Sequence, residues 1–216
     1  KELWYKRLIA PINLSIWWSY RFAHESPWST ISGEYLTDPD YPRIFLQAGF
    51  RKYEGYITAY RENNPFLTLD KDTKNLEIGM IPKDMQNEII FWLSSSLFLW
   101  APKISREEFE IYMQIYRELY EETMHIFGIK YNGSYVGFAS TFYEEDKFIV
   151  KTIGILNPYQ GKWYGNHLLS HIHSFYENLG IKKAYYLYMR ELGDALNLTH
   201  ENAQIHRTYS TYILNI

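Results

Sequence analysis

No cysteine occurs among the 216 residues, which removes disulfides, a thiolate nucleophile and every cysteine-ligated metal site. A long apolar run is also lacking. The most apolar stretch, Ile89 to Trp100, is 12 residues long and carries Ser94, Ser95 and Ser96 in its middle, so it suits a buried helix and not a membrane span. There is no basic block, and the formal charge is −3, which argues against nonspecific binding to nucleic acid or to a membrane surface. The first residues, Lys1 to Arg7, lack the apolar stretch and cleavage site of a secretory signal, so a cytoplasmic protein is the expectation. Because the chain opens on lysine, it is expected to be trimmed or to be a fragment of a longer product.

What is present is apolar and aromatic. The chain is 46% hydrophobic and 22% charged, with 7 Trp, 21 Tyr and 12 Phe. Such a composition excludes disorder over most of the length, and a chain of this size buries about 70% of its unfolded surface. One composition break stands out: Arg61 to Asn75, rich in Asn, Asp, Lys and Thr, reads as a linker. It separates residues 1–60 from residues 76–216, and only the second part reads as a complete domain.

Within that second part Leu76 to Ile81 is a strand candidate, and a helix opens at Pro82, Lys83 and Asp84. Ser105 and Glu108 form a capping box ahead of Phe109, Tyr112, Met113, Tyr116, Leu119 and Tyr120 at helical spacing. His125 to Tyr131, Tyr135 to Tyr143 and Phe148 to Leu156 alternate as strands, with Asn132-Gly133 as a tight hairpin turn between the first pair. A helix from about Tyr164 to Leu179 ends on Gly180, and Ala184 to Met189 follows as a strand parallel to the last of the meander. The expected class is α/β (α+β): a mixed sheet with an antiparallel meander, helices on both faces and a central loop-to-helix junction.

That junction, Ile155 to Leu169 (ILNPYQGKWYGNHLL), leaves a strand, passes Gly161 and Gly165 and enters a helix whose first amides have no intrahelical acceptor. Such a turn is an anion site suited to a pyrophosphate, with Lys162 adding charge at its rim. Here the sequence resembles the GNAT superfamily of acetyl-CoA-dependent N-acetyltransferases, whose signature after the fourth strand runs approximately V-x-P-x-Y-R-G-x-G-x-G/A. Ile155 takes the valine place, Tyr159 the tyrosine, Gln160 the Arg/Gln place, Gly161 the first glycine and Gly165 the last. Two positions depart: Pro158 comes one residue late, with Asn157 in its expected place, and Trp163 replaces the middle glycine.

The resemblance implies acetyl-CoA as cosubstrate, bound by Ile153, Ile155, Leu156, Gln160, Gly161, Lys162, Trp163, Tyr164, Gly165 and Asn166, with no metal. It also implies direct attack of an amine on the thioester. A bulge in the fourth strand is part of that pattern, and Gly154 is either that bulge or a packing glycine. The thiolate's acid in the family is a tyrosine spaced N-x-x-A-x-x-x-Y, offsets met by Asn202, Ile205 and Tyr209. The segment Gln204 to Ile216 reads equally well as a closing strand, in which case Tyr209 is ordinary sheet surface or core. The usual Glu is absent from Phe148 to Leu156, and Glu144, Glu145 and Asp146 read as a solvated hairpin tip. His167 and His171 read as a polar helix face. His125 and His173 show no interpretable spacing.

In residues 11–60, Asn13, Ile16 and Tyr20 repeat the same offsets, and Tyr41-Pro42 through Ala48-Gly49-Phe50 resembles the end of a GNAT fold followed by a last strand, Tyr53 to Tyr60. The chain therefore resembles a tandem GNAT protein with an incomplete first domain. Trp4, Trp17, Trp18, Trp28, Phe45 and Phe50 are expected to pack on the second domain or on another copy of the chain as a homodimer. The expected activity is acetyl transfer to a primary amine of a small molecule or peptide. The alternative is a GNAT-fold binding or scaffolding protein without turnover.

Overall fold

The structure, a computed structural model, describes residues 7–10, 22–23, 40–64, 74–97, 105–120, 122–191 and 203–215. Asn13, Ile16, Tyr20, Asn202 and the tryptophans at 4, 17, 18 and 28 lie outside them. In chain order the elements are β1 (Arg7–Ala10), β2 (Phe22–Ala23), α1 (Asp40–Gln47), β3 (Arg51–Glu62), β4 (Leu76–Met80), α2 (Gln86–Leu97) and α3 (Arg106–Tyr120). Then come β5 (Met124–Tyr131), β6 (Ser134–Glu144), β7 (Lys147–Ile155), α4 (Tyr164–Asn178), β8 (Lys183–Arg190) and β9 (Gln204–Asn215).

The chain divides into two compact units, Lys1–Ala59 with Leu187–Ile216, and Tyr60–Tyr186. The last strand thus groups with the first segment, and not with the meander as a split at residues 61–75 implies. β3 also runs on to Glu62, with Arg61 and Asn63 buried, so the expected linker begins inside folded structure.

In the Tyr60–Tyr186 unit β4, β5, β6 and β7 form an antiparallel meander, and β8 joins β7 in parallel from Lys147↔Lys183 to Val150↔Tyr186. Asn132 (φ 50°) and Gly133 (φ 77°) make the expected left-handed hairpin turn between β5 and β6. Side chains alternate across the sheet. Thr141 faces α4 and meets Tyr176, whereas its neighbour Phe142 faces α3 and stacks on Tyr120 at 4.4 Å. The core lies on both faces: Leu168, Leu169, Ile172 and Tyr176 of α4 are buried with Phe127 and Phe148 of the sheet, and Phe109, Tyr112 and Met113 of α3 are buried with Phe142.

Caps fall where the sequence puts them. Ser105 N–H donates to Glu108 Oε2 at 2.8 Å and Glu108 N–H returns to Ser105 Oγ at 3.2 Å, completing the capping box of α3. Gly180 (φ 77°) ends α4, its N–H donating to Glu177 O while Ile181 N–H donates to Tyr176 O.

In the other unit β9 pairs antiparallel with β1, Arg7↔Asn215 to Ala10↔Tyr212, and with β2, Phe22↔Ser210 and Ala23↔Tyr209. Gln204 to Asn215 is therefore the closing strand and not a helix, as its run of aromatic and β-branched residues favours. After α1, Gly49 takes φ 89° and Phe45 packs edge-on against Phe50 at 4.9 Å, the helix-to-turn-to-strand passage expected at Ala48-Gly49-Phe50.

Candidate functional site

The junction after β7 is built by its own backbone. Leu156 N–H donates to Val136 O at 2.8 Å as the strand ends, and a single 3-10 turn at Asn157–Tyr159 carries Pro158. Gln160 is a brace: its Nε2 donates to Ile155 O at 2.8 Å and to Asn157 Oδ1 at 3.1 Å, closing the turn. Tyr131, Tyr159 and Tyr164 pack ring to ring at 5.9–6.2 Å, which seats the loop on β5. Lys162 is exposed, with Nζ 5.4 Å above the Tyr159 ring.

Gly161 (φ 71°) and Trp163 (φ 66°) both adopt left-handed backbone. For glycine this costs nothing, and a Cβ there would meet no atom within 4 Å. For Trp163 it costs about 1–2 kcal/mol, and the residue is 41% exposed. α4 opens at Tyr164 with no side-chain cap, and its first intrahelical bond is His167 N–H to Trp163 O at 3.0 Å. The amides of Gly165 and Asn166 belong to that first turn, and both residues are only half-buried. Acetyl-CoA fits the site on this ground: an uncapped helix start behind two left-handed residues presents N–H groups to a diphosphate.

β7 carries an irregularity just upstream. Ser140 faces Thr152 and Thr141 faces Val150, so Lys151 is an extra residue in β7. Pairing with β8 is registered only as far as Val150, whereas β7 runs on to Ile155. The bulge is thus at Lys151 and not at Gly154. Gly154 is a packing glycine, since a Cβ on it would stand 2.5 Å from Leu97 Cδ1 of α2. Lys151 Nζ lies 3.8 Å above the ring of Tyr116 and 5.7 Å from that of Tyr112.

The expected binding residues Ile153, Ile155, Leu156 and Gln160 to Asn166 form one continuous stretch of strand, loop and helix start. Tyr209 does not join it in sequence or element. It lies on β9, 1% exposed, with its hydroxyl 3.1 Å from Thr58 Oγ1 and its ring 5.0 Å from that of Tyr188. Glu144 and Asp146 sit at the opposite end of β7, paired with Lys147 at 3.3 Å and Lys183 at 3.0 Å. His171 is exposed and His167 half-buried.

Sequence reading passed over two histidines that the fold engages. His173 is fully buried, with Nδ1 2.6 Å from Asn63 Oδ1 and Nε2 2.5 Å from the Tyr186 hydroxyl; burial and the nearby Arg61 charge push its pKa down to about 3. His125 is half-buried, its Nδ1 3.0 Å from the Tyr176 hydroxyl. Asn63 lies 110 residues from His173, Tyr186 lies 13 away on another element, and Tyr176 lies 51 from His125, so no local spacing announces these contacts.

Among the described residues β7 pairs with β8 only as far as Val150, and it runs on into a turn and an uncapped helix start. The chain belongs to the acetyltransferase (GNAT) family, whose profile it matches over residues 88–198. No curated protein matches its sequence. Among solved structures it is similar to a GCN5-related N-acetyltransferase from Sphaerobacter thermophilus (TM-score 0.64, 13% identity, 82% of this chain and 56% of that one). It is also similar to a GCN5-related glucosamine N-acetyltransferase region of a fungal multi-domain GH3 β-N-acetylglucosaminidase (0.59, 13%, 80% and 22%). A tandem GNAT protein from the clavulanic acid biosynthesis pathway is matched over 97% of this chain and 64% of its own (0.52, 8% identity). At such identities these likenesses speak for the fold alone, and the chain spans less than two thirds of each of those structures.

Proposed function

We propose that the chain is an acetyl-CoA-dependent N-acetyltransferase whose coenzyme lies along β7 beyond Val150 and ends its diphosphate on the amides between Gln160 and Asn166. The observation that carries this reading is the uncapped start of α4 behind the two left-handed residues Gly161 and Trp163. Bound acetyl-CoA supplies a thioester open to direct attack by an amine; with no cysteine in the chain, no thiol of the protein competes as acyl acceptor.

Gly165 and Asn166 offer first-turn amides to the diphosphate, Lys162 adds a cation at its rim, and Gln160 holds the turn rigid through Ile155 O. Ile153, Ile155 and Leu156 present extended backbone to the pantetheine arm. A backbone amide beside the bulge, aimed at the thioester carbonyl, would contribute about 3 kcal/mol in the transition state. No proton step is assigned to Tyr209, whose hydroxyl is shared with Thr58. The acceptor is an amine of a small molecule or peptide.

A binding protein without turnover is the second reading. It is favoured by β7 itself, whose residues Lys147–Ile155 include no Glu or Asp, the residue type this strand of the family usually supplies as a base. Thermal melts with millimolar acetyl-CoA separate coenzyme binding from none, a rise of several degrees being expected for micromolar affinity. Free CoA release over polyamines, aminoglycosides and peptide N-termini then decides turnover: release with any of them supports the enzyme, and silence with all of them supports the binding protein.

A further inference from the structure

Tyr176 of α4 is fully buried, and its hydroxyl is 2.7 Å from Thr141 Oγ1 on β6 and 3.0 Å from His125 Nδ1 on β5. Thr141 Oγ1 in turn donates to His125 O at 3.0 Å. Counting protons orders these contacts. The one hydroxyl hydrogen of Thr141 goes to the carbonyl, so the Tyr176 hydrogen must go to Thr141 Oγ1. Tyr176 oxygen is then the acceptor for His125, which carries its hydrogen on Nδ1. The ring closes with every donor used once. Burial and the Lys83 charge hold His125 below its ordinary pKa, so the imidazole stays neutral with Nε2 outside the ring.

The ring sits where β7 slips. Thr141 is the β6 residue at the slip, facing Val150 while Ser140 already faces Thr152. Phe148, two residues before Val150 and on the same face of β7, stacks on the Tyr176 ring at 4.3 Å and 12°. One side chain therefore fastens α4 to β5, β6 and β7 at the point where the register changes. A bulge is a local choice of register, and losing the extra residue at Lys151 would slip the later part of β7 by one position and turn its side chains over. Tyr176 also stands 12 residues along α4 from Tyr164, about 18 Å from the loop at the helical rise.

We propose that Tyr176 and Thr141 are positioning residues for acyl-CoA: the Tyr176–Thr141–His125 ring pins the bulge at Lys151, and with it the β7 edge on which the pantetheine arm lies, independently of the diphosphate loop. This rests on the reading above that the coenzyme follows β7.

Two calorimetric probes separate the arm from the diphosphate end: acetyl-CoA, which spans both, and ADP, which reaches only the loop. They are titrated into the parent chain, Thr141→Val, Thr141→Ser and Tyr176→Phe. Acetyl-CoA should weaken about tenfold in Thr141→Val and Tyr176→Phe, with Thr141→Ser close to the parent, and ADP should be unchanged in all. Equal behaviour of Thr141→Val and Thr141→Ser overturns the proposal. So does an equal loss of ADP, which marks general damage, or a parent that binds ADP as tightly as acetyl-CoA. A parent that binds neither overturns the functional reading as well, which tells the two failures apart.

Discussion

At the scale of single residues the site depends on where a side chain is forced and where it is forbidden. Trp163 at φ 66° is held in a conformation that suits glycine. Relief of about 1–2 kcal/mol of strain, less about 0.5–1 kcal/mol of added chain entropy, leaves a small gain for Trp163→Gly. Its melting temperature should rise by about 2 °C with coenzyme affinity kept, as read by paired melts. A fall would mean that the contacts of the indole outweigh the backbone strain. The glycines of β6 and β7 point the other way. A Cβ on Gly137 would stand 2.6 Å from the Gly154 carbonyl, which is backbone, whereas one on Gly154 meets only the tip of Leu97. Urea unfolding should show Gly137→Ala losing about 3 kcal/mol and Gly154→Ala about 1 kcal/mol; the reverse order would contradict the packing described.

At the scale of elements, most of what is local was legible. The capping box at Ser105, the Asn132-Gly133 turn and the Gly180 stop are decided by residues within a few positions of one another, and each forms as the pattern predicts. Two readings needed contacts that no window contains. Gly154 invited a bulge because a mid-strand glycine usually marks one, but the slip falls at Lys151 and the glycine serves α2. Residues 204–215 met a helical spacing at Ile205 and Tyr209, yet pairing with β1 and β2 makes them a strand. Of the candidate site, the loop and helix start could be read because adjacent residues supply its amides. The Tyr176 ring could not, because its members come from three elements. α4 itself gives a prediction: Gly165→Asp places a carboxylate in the first helical turn, so the free protein should melt no lower, while ADP and acetyl-CoA binding fall at least about tenfold by repulsion. Unchanged ADP affinity in that variant would remove the loop from the site.

For the whole molecule, the buried polar core sets how stability follows pH. His173, with a folded pKa of about 3 against an ordinary value of 6.5, refuses a proton that the unfolded chain accepts. Its contribution is complete above pH 6.5 and is lost as pH falls from there toward 3, at about 1.4 kcal/mol per pH unit. His125, also lowered by burial, acts in the same direction. Unfolding free energies at about pH 6.5 and about pH 4.5 should therefore differ by more than about 2 kcal/mol. A His173→Gln chain that shows the same slope as the parent would assign the dependence elsewhere.

The central claim is that main-chain nitrogens at the start of α4 receive the diphosphate of acetyl-CoA, and crystals of the parent chain grown with excess coenzyme test it most directly. Density for the diphosphate within hydrogen-bond distance of the Gly165 and Asn166 amides, with the arm along β7 past Val150, is the predicted result. A loop left without coenzyme, or covered by the Trp163 indole, contradicts it.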